Sequence, residues 1–146
     1  MRLPITIETI VFRKNKSKYS FLLLKRIKKR GGFWQFLTGG LEDTDKSHIG
    51  CAKREFQEEL GLDVKVIKEI IEDMPHFEFV GDFKDKKKTT FKEYVFGFEV
   101  DEKLKFEHIE NDEHEDLKWC SFEECISLLH FENNKDALRN LIKRLK

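Results

Sequence analysis

The sequence predicts an α/β fold in which a mixed β-sheet lies between helices. Apolar and β-branched segments precede a central amphipathic helix, segments of strand character follow it, and two helical segments end the chain. Strands on both sides of a central helix favour a sheet with helices packed on its two faces. The length of 146 residues fits one domain, and we expect a single domain over residues 1–146.

Three segments ahead of the central helix have the character of strands. Ile5–Phe12 is apolar and β-branched, and Tyr19–Leu24 is a continuous apolar run that suits a strand buried on both faces. Phe33–Leu37 is a short aromatic segment, followed by a threonine and two glycines. We expect three strands here and a loop over Gly39–Lys46 that leads to the helix.

The central helix is the strongest helix prediction in the chain and covers Ser47–Leu60. Ser47 is a suitable N-cap, and Gly61 stands where a residue in the left-handed conformation would end the helix. The residues expected to pack against the sheet fall on one arc of this helix: Ile49, Ala52, Phe56 and Leu60.

Extended segments follow the helix. Val64–Ile71 and Met74–Val80 have the composition of strands, and Thr89–Val100 alternates as a long strand does. The polar, lysine-rich segment Gly81–Lys88 is expected to be a loop, most simply a solvated hairpin tip.

The C-terminal part contains an acidic segment, a short strand and two helices. Glu107–Asp116 is acidic and is expected to be irregular, whereas Leu117–Cys120 suits a strand. A helix is expected over Ser121–His130, whose first residue forms a capping box with Glu124. A second helix is expected from Lys135 to the end, because apolar residues recur there at helical spacing.

The charge balance argues against a polyanionic partner. Lys+Arg and Asp+Glu number 28 each, so no net field attracts a nucleic acid polymer or an anionic membrane. The three cysteines match neither a CxxC pair nor a metal-ligand pattern, and we expect reduced thiols. Neither a secretory leader nor a run of about 18 apolar residues is apparent. We therefore expect a cytoplasmic protein.

Three glutamates of the central helix form the most informative pattern. Glu55, Glu58 and Glu59 stand at i, i+3 and i+4, which places them within roughly 100° of one helix face. A cation bound among them would relieve their repulsion, and such hard oxygen ligands suit Mg²⁺ or Mn²⁺. The glycines of Thr38-Gly39-Gly40 would let bare backbone approach a metal or phosphate. A merely solvated acidic face is the alternative interpretation.

The segment Arg54–Leu62, which reads REFQEELGL, resembles the second half of the Nudix box, G-x5-E-x7-R-E-U-x-E-E-x-G-U, where U is a bulky apolar residue. Every fixed position of that half is matched, with Phe56 as an aromatic variant of U. The resemblance implies a Nudix-type α/β/α sandwich in which the box forms a loop-helix-loop.

The first half of the box departs from the pattern. If Gly40 is its leading glycine, Lys46 stands where the first glutamate belongs. If Gly39 leads, Asp45 stands there and one extra residue precedes Arg54. We prefer the second alignment, in which Asp45 would brace the loop as the family's glutamate does.

Two further segments are similar to one subgroup of the family. Phe33-Trp34-Gln35 followed by Thr38-Gly39 resembles the F-W-Q-x-x-T-G entry of the enzymes that hydrolyse dihydroneopterin triphosphate and dATP. Glu113-His114 followed by Leu117-Lys118-Trp119 resembles the E-H…K-W segment of the same enzymes. The resemblance implies hydrolysis of a nucleoside or pterin triphosphate to the monophosphate and pyrophosphate.

The resemblance also implies roles for individual residues. Glu113 is the expected general base, with Glu58 or Glu59 as the alternative, and Arg54 is expected to orient the helix carboxylates. The expected ligands of Mg²⁺ or Mn²⁺ are the carboxylates and backbone oxygens of Gly39, Gly40, Glu55, Glu58 and Glu59.

Substrate contacts are expected from the strands before the box. Lys25 or Arg26 would bind phosphate, although a solvated basic strand end explains them equally well. Trp34 would form part of the pocket wall, unless it packs in the core.

Other functions stay open at this point. Within the family, the substrate could be a dinucleoside polyphosphate or an oxidised nucleotide. In another class, a Nudix scaffold with weak catalysis would bind a nucleotide or a protein partner. Family members often form homodimers, and no exposed apolar stripe in the sequence marks such an interface.

Overall fold

The computed structural model describes residues 1–105 and 113–146. These residues form eight strands and three α-helices, with short 3₁₀ turns at Lys28–Arg30 and Val64–Val66. In chain order the elements are β1 Arg2–Asn15, β2 Lys18–Arg26, β3 Trp34–Gln35, β4 Leu37–Glu42, α1 His48–Leu60, β5 Ile67–Ile71, β6 Phe77–Phe83, β7 Lys87–Val100, β8 His114–Cys120, α2 Phe122–Leu128 and α3 Glu132–Leu145.

The long strand β1 organises a mixed sheet. Along one edge it pairs in parallel with β7, from Ile5 opposite Lys92 to Phe12 opposite Glu99. Along the other edge it pairs antiparallel with β4 and then with β2. Strands β3 and β8 extend the sheet from β2, and β5 and β6 both pair with β7.

Two apolar cores lie on the two faces of this sheet. Alternate residues of β1 point to opposite sides, so Ile7 and Val11 join one core while Ile10 and Phe12 join the other. The first core contains the buried face of α1, including Phe56, and the second contains the buried faces of α2 and α3. The sheet therefore lies between helices, which confirms the predicted α/β/α sandwich.

The local signals at the helix ends are confirmed. The Ser47 side chain accepts a hydrogen bond from the Gly50 N–H, and Gly61 ends α1 with φ +66°. Ser121 and Glu124 form a reciprocal capping box at the start of α2. Helix α3 begins at Glu132, three residues before the expected Lys135.

The prediction of a loop over Gly39–Lys46 is wrong for its first half, because β4 extends to Glu42. Strand β1 begins earlier than its apolar run suggests, and its first half has an open edge that β4 fills. Gly39 pairs with Ile7 and Gly40 with Thr6. Both glycines are therefore held in a sheet rather than in a free loop.

Gly81–Lys88 lies at the tip of a β-hairpin, as expected, although β6 extends to Phe83 and β7 begins at Lys87. Two further segments differ from expectation. Val64–Val66 forms a 3₁₀ turn instead of a strand. Of the acidic segment Glu107–Asp116, residues 107–112 lie outside the described residues, and His114–Asp116 belong to β8 rather than to irregular chain.

The three cysteines are buried free thiols. Within residues 1–105 and 113–146, none of the helices has the length and apolar character needed to cross a membrane.

Candidate active site

The N-terminal half of the site is a close approach between β4 and α1. The Glu55 carboxyl group lies directly against the backbone of Gly39, where a Cβ atom would collide with it. Gly40 is approached in the same way by the Arg2 guanidinium, which also donates to the Thr6 hydroxyl at 3.2 Å. These contacts, rather than turn conformation, explain why glycine stands at both positions.

Arg54 holds the loop before α1 against the helix. Its Nε and Nη2 atoms donate to the two carboxylate oxygens of Asp45 at 2.9 and 2.8 Å. The hydrogen bonds from Arg54 hold the pKa of Asp45 at about 2, below its ordinary value of 3.8. The Asp45 carboxylate also accepts from the Glu42 N–H at 2.8 Å. Asp45 therefore braces this loop, as the preferred alignment predicts.

The same guanidinium reaches two of the helix glutamates. Its Nη1 atom donates to Glu55 at 3.0 Å and to Glu58 at 3.2 Å. The predicted i,i+4 pair of Arg54 with Glu58 is thus present. Arg54 therefore sets the direction of two carboxylates at once.

The three helix glutamates have different surroundings. The side chains of Glu55 and Glu59 are each 13% exposed, whereas that of Glu58 is 57% exposed. Burial raises the pKa of Glu55 to about 7, Arg54 opposes that rise, and the neighbouring charges of Glu58 and Glu59 add to it. A carboxylate that is buried beside two others is stabilised in its charged form by a bound cation.

Glu59 belongs to a polar chain that crosses the sheet. His114 Nδ1 lies 3.0 Å from Glu59 Oε2, and His114 Nε2 lies 3.4 Å from the side-chain amide nitrogen of Gln35. Gln35 in turn donates to the Thr38 hydroxyl at 3.2 Å. Because an ionised carboxylate only accepts, this chain favours the His114 tautomer that carries its proton on Nδ1.

His114 is the residue of this site to which the sequence assigned no role. It is 1% exposed, and one of its ring nitrogens, one Glu59 oxygen and one Glu113 oxygen lie within 4.8 Å of one another. The signal in the sequence was the E-H pair of the subgroup segment, from which a role was predicted for Glu113 alone.

These residues fit a divalent cation. Three carboxylates on α1 supply hard oxygen ligands, and Gly39 leaves room for one of them beside bare backbone. Glu113 directly precedes β8, and His114 is the first residue of that strand. Both lie close to Glu59. A histidine that orients a metal-binding carboxylate is a common second layer around such ions.

A pocket of about 640 Å³ opens beside this cluster. Its wall includes Gly39, Gly40 and Glu55, which connects it with the carboxylates of α1. Such a volume is typical of small-molecule sites. Glu113 also borders the pocket, and one of its oxygens lies 3.8 Å from Arg30 Nη1.

The pocket wall includes some of the residues that were predicted to contact substrate and excludes others. Arg26 lines it, whereas Lys25 points away and pairs with Glu115 at 3.6 Å. Phe33 and Gln35 line it, whereas Trp34 packs with the core beneath α2 and α3. The predicted contacts of Lys25 and Trp34 with substrate are therefore not supported, because strand alternation turns both side chains away from the pocket.

Comparison with known proteins agrees with this arrangement. The NUDIX domain family matches residues 4–145 of the chain. A solved structure from Listeria monocytogenes, described as a NUDIX hydrolase, is 33% identical with a TM-score of 0.83, covering 98% of this chain and 94% of that chain.

Two more distant structures share the fold. An Ap4A hydrolase from C. elegans is 22% identical with a TM-score of 0.75, covering 97% of this chain and 96% of its own. The dihydroneopterin triphosphate pyrophosphohydrolase of E. coli is 22% identical with a TM-score of 0.74, and the match covers 93% of this chain and 92% of that chain.

A curated protein matches over a shorter stretch. Octanoyltransferase from Myxococcus xanthus is 40% identical over 62 residues, which are 42% of this chain and 17% of that protein. The match thus spans less than a fifth of that relative and shows nothing about the rest of it. The family match over residues 4–145 is decisive: the chain belongs to the NUDIX domain family and is a Nudix hydrolase, an enzyme of the pyrophosphohydrolase type.

Proposed function

We propose that this enzyme hydrolyses the diphosphate linkage of a nucleoside or pterin triphosphate, with Mg²⁺ or Mn²⁺, and releases pyrophosphate and the monophosphate. The observation that carries the proposal is the contact of Glu55 with the bare backbone of Gly39 at the edge of the pocket. That contact gathers oxygen ligands where a bound triphosphate would lie.

The α1 carboxylates and the backbone oxygen of Gly39 or Gly40 would hold the cation. When bound, such an ion neutralises phosphate charge and lowers the pKa of a coordinated water. Arg54 keeps Glu55 and Glu58 directed towards one another through its Nη1 atom. The two hydrogen bonds from Arg54 to Asp45 would keep the loop before α1 in place during turnover.

A carboxylate beside this position would take the proton of the attacking water. Glu113 is our candidate, because it borders the pocket and lies within reach of Glu59 and His114. Glu58 and Glu59 are the alternatives. General-base assistance of this kind typically contributes about 10²–10⁴-fold to the rate.

Arg26 supports an anionic ligand. Its Nε atom is buried and lacks a hydrogen-bond partner among the described residues, and the side chain lines the pocket. Burial and the nearby Arg30 lower the pKa of Arg26, while Glu113 opposes that change. An arginine stays charged under such conditions, so the Arg26 side chain offers a cation to a phosphate group in the pocket.

The test is a panel of substrates incubated with Mg²⁺, with Mn²⁺ or with EDTA, followed by assays for pyrophosphate and phosphate. The panel contains the four deoxynucleoside triphosphates, dihydroneopterin triphosphate, an oxidised nucleotide and a dinucleoside polyphosphate. We expect metal-dependent pyrophosphate release from a triphosphate. Release of nucleotides from the dinucleoside polyphosphate alone would instead favour that substrate class.

Two variants give the test its control. Glu58→Gln is expected to lower turnover strongly, whereas Glu123→Gln removes an exposed glutamate of α2 that does not line the pocket and should leave turnover unchanged. Absence of turnover for every substrate, with nucleotide binding unaffected by Glu58→Gln, would overturn the proposal in favour of a binding module. Cytoplasmic localisation and a homodimer are proposed as well, and are tested by cell fractionation and light scattering.

A further inference from the structure

Two buried glutamates face each other on neighbouring strands, away from the α1 carboxylates. Glu8 of β1 is 0% exposed and Glu93 of β7 is 7% exposed. The parallel register places Glu93 opposite Thr6, one step along the same face from Glu8. The two carboxyl groups are close enough for each to shift the pKa of the other, and two neighbouring buried carboxyl groups favour the form in which one of them carries a proton.

Glu8 is the carboxyl group that keeps the proton. It lies deeper, and burial followed by the charge of Glu93 raises its pKa well above the ordinary 4.5. Burial raises the pKa of Glu93 as well, but the hydrogen bond from Glu8 opposes that rise. Among the described residues Glu8 Oε2 is buried and has no hydrogen-bond partner, a setting that disfavours a charged carboxylate.

Asn134 of α3 completes the arrangement. It is 5% exposed, and its Nδ2 atom donates to Glu8 Oε1 at 3.1 Å. Glu8 thus accepts from Asn134 through Oε1, and its other oxygen, Oε2, is buried without a hydrogen-bond partner among the described residues. Glu93 and Asn134 both line the pocket, whereas Glu8 does not. Glu8 therefore helps to position two side chains of the pocket wall.

The pocket wall therefore presents a carboxylate, Glu93, in a setting otherwise rich in arginine. Arg2, Arg26 and Arg30 line the same pocket and suit phosphate oxygens. A buried carboxylate does not suit phosphate, because the two would repel. It needs N–H donors from the part of the ligand that carries no phosphate.

We propose that Glu93 is the specificity-determining residue of the pocket and accepts two adjacent N–H groups from a 2-amino-4-oxo ring, the edge that guanine and pterins share. The inference rests on the proposed function, since it takes the pocket to hold the base or pterin of a phosphorylated substrate. It narrows the substrate class to these rings.

The chemistry of the ring edges explains the choice. In a 2-amino-4-oxo ring, the ring N–H and the amino group point in the same direction and match the two oxygens of one carboxylate. Adenine offers an amino group beside a ring nitrogen that only accepts, so one carboxylate oxygen would face a lone pair. Hypoxanthine keeps the ring N–H but lacks the amino group. Bidentate pairing of this kind discriminates by about 10- to 100-fold.

The test is calorimetric binding of four monophosphates to the whole protein, with GMP, IMP, AMP and dihydroneopterin monophosphate as probes. We expect GMP or the pterin to bind about 10- to 100-fold more tightly than IMP and AMP. Comparison of GMP with the pterin tells which ring is preferred. Because binding is measured without turnover, a preference for this edge in a protein that hydrolyses nothing would sustain the inference while the proposed activity fails.

Variants of the pair sharpen the test. Glu93→Gln replaces one acceptor by a donor, so it should remove the preference for GMP and for the pterin and improve AMP relative to both. Glu8→Gln keeps a donor towards Glu93 and an acceptor for Asn134, and should retain the preference. Glu99→Gln removes the same charge from the same strand at a position outside the pocket wall and should match the wild type.

The contrary outcomes are equally clear. Equal binding of all four monophosphates by the wild-type protein would overturn the assignment, and so would tighter binding of AMP. A folded Glu93→Gln protein with an unchanged order of affinities would do the same. If Glu93→Gln does not fold, as judged by circular dichroism, the order of affinities in the wild type and in Glu8→Gln decides.

Discussion

Arg54 of α1 and Asp45 of the preceding loop form a bidentate ion pair, with Nε and Nη2 of the arginine 2.9 and 2.8 Å from the two carboxylate oxygens. The pair joins the loop that follows β4 to α1. In the alignment that starts at Gly39, Asp45 takes the place of the pattern's glutamate, and its shorter side chain still meets Arg54 with both oxygens.

Replacement of Asp45 by asparagine is expected to destabilise the protein. The Asp45 side chain is 7% exposed and that of Arg54 is 30% exposed, so solvent screens part of the interaction. We expect a loss of about 1–2 kcal/mol in the free energy of unfolding near pH 7. Urea denaturation of the variant and of Asp43→Asn, an exposed neighbour, measures the difference.

The same pair predicts a pH dependence with a defined sign. The pKa of Asp45 in the folded protein is about 2, below the ordinary 3.8, so its stabilising effect is present above about pH 4 and is lost as the pH falls towards 2. The gap between wild type and Asp45→Asn should therefore close over that range. A gap that stays constant down to pH 2 would mean that the charge of Asp45 is not what stabilises the loop.

Glu8 should give the opposite pH dependence. Its pKa is raised in the folded protein, so the folded state binds more protons than the unfolded state above about pH 4.5, and stability falls as the pH rises. Glu8→Gln removes this titration while keeping the oxygen that accepts from Asn134. The variant should gain stability over wild type as the pH rises from 4.5 to 8, measured by thermal unfolding. A constant difference between the two proteins would contradict a protonated Glu8.

Gly39→Ala is expected to damage the site more than the fold. The added Cβ would meet the Glu55 carboxyl group and push it off its position. Displacement of a positioned group by about 1 Å can lower turnover about 100-fold. Gly81→Ala is the control, because a Cβ there meets only the edges of the Phe91 and Phe79 rings, at 3.4 and 3.6 Å. Similar turnover in the two variants would show that the approach of Glu55 to Gly39 has no role.

His114 is expected to act by positioning Glu59. Loss of a residue that orients a metal-binding group typically lowers metal affinity or activity by about 10- to 100-fold. His114→Leu should show this loss, and His114→Asn, whose amide can still donate to Glu59, should recover part of it. Mn²⁺ titrations of both variants provide the readout. Equal Mn²⁺ affinity of the leucine and asparagine variants would exclude the positioning role.

Local signals in the sequence predicted local structure well. Ser47, Gly61 and the Ser121–Glu124 box mark helix ends through contacts within a few residues, and all are confirmed. The spacing of the α1 glutamates likewise follows from the helix alone. Such features need no knowledge of which segments pack together.

The other features of the site depend on contacts between segments that are far apart in the sequence. Lys25 and Arg26 are adjacent, and only the pairing of β2 in the sheet shows which of them faces the pocket. Glu8 and Glu93 meet because β1 and β7 pair in parallel, which no local pattern reveals. His114 gains its role from Gln35 and Glu59, both far away in sequence.

The central claim, that α1 holds a divalent cation beside the pocket, is tested most directly by Mn²⁺ binding followed with electron paramagnetic resonance. The wild-type protein and Glu69→Gln, which removes an exposed glutamate of β5, should bind Mn²⁺ with equal affinity. The double variant Glu55→Gln/Glu59→Gln should bind it at least about 10-fold more weakly. Equal Mn²⁺ affinity in all three proteins would contradict the claim.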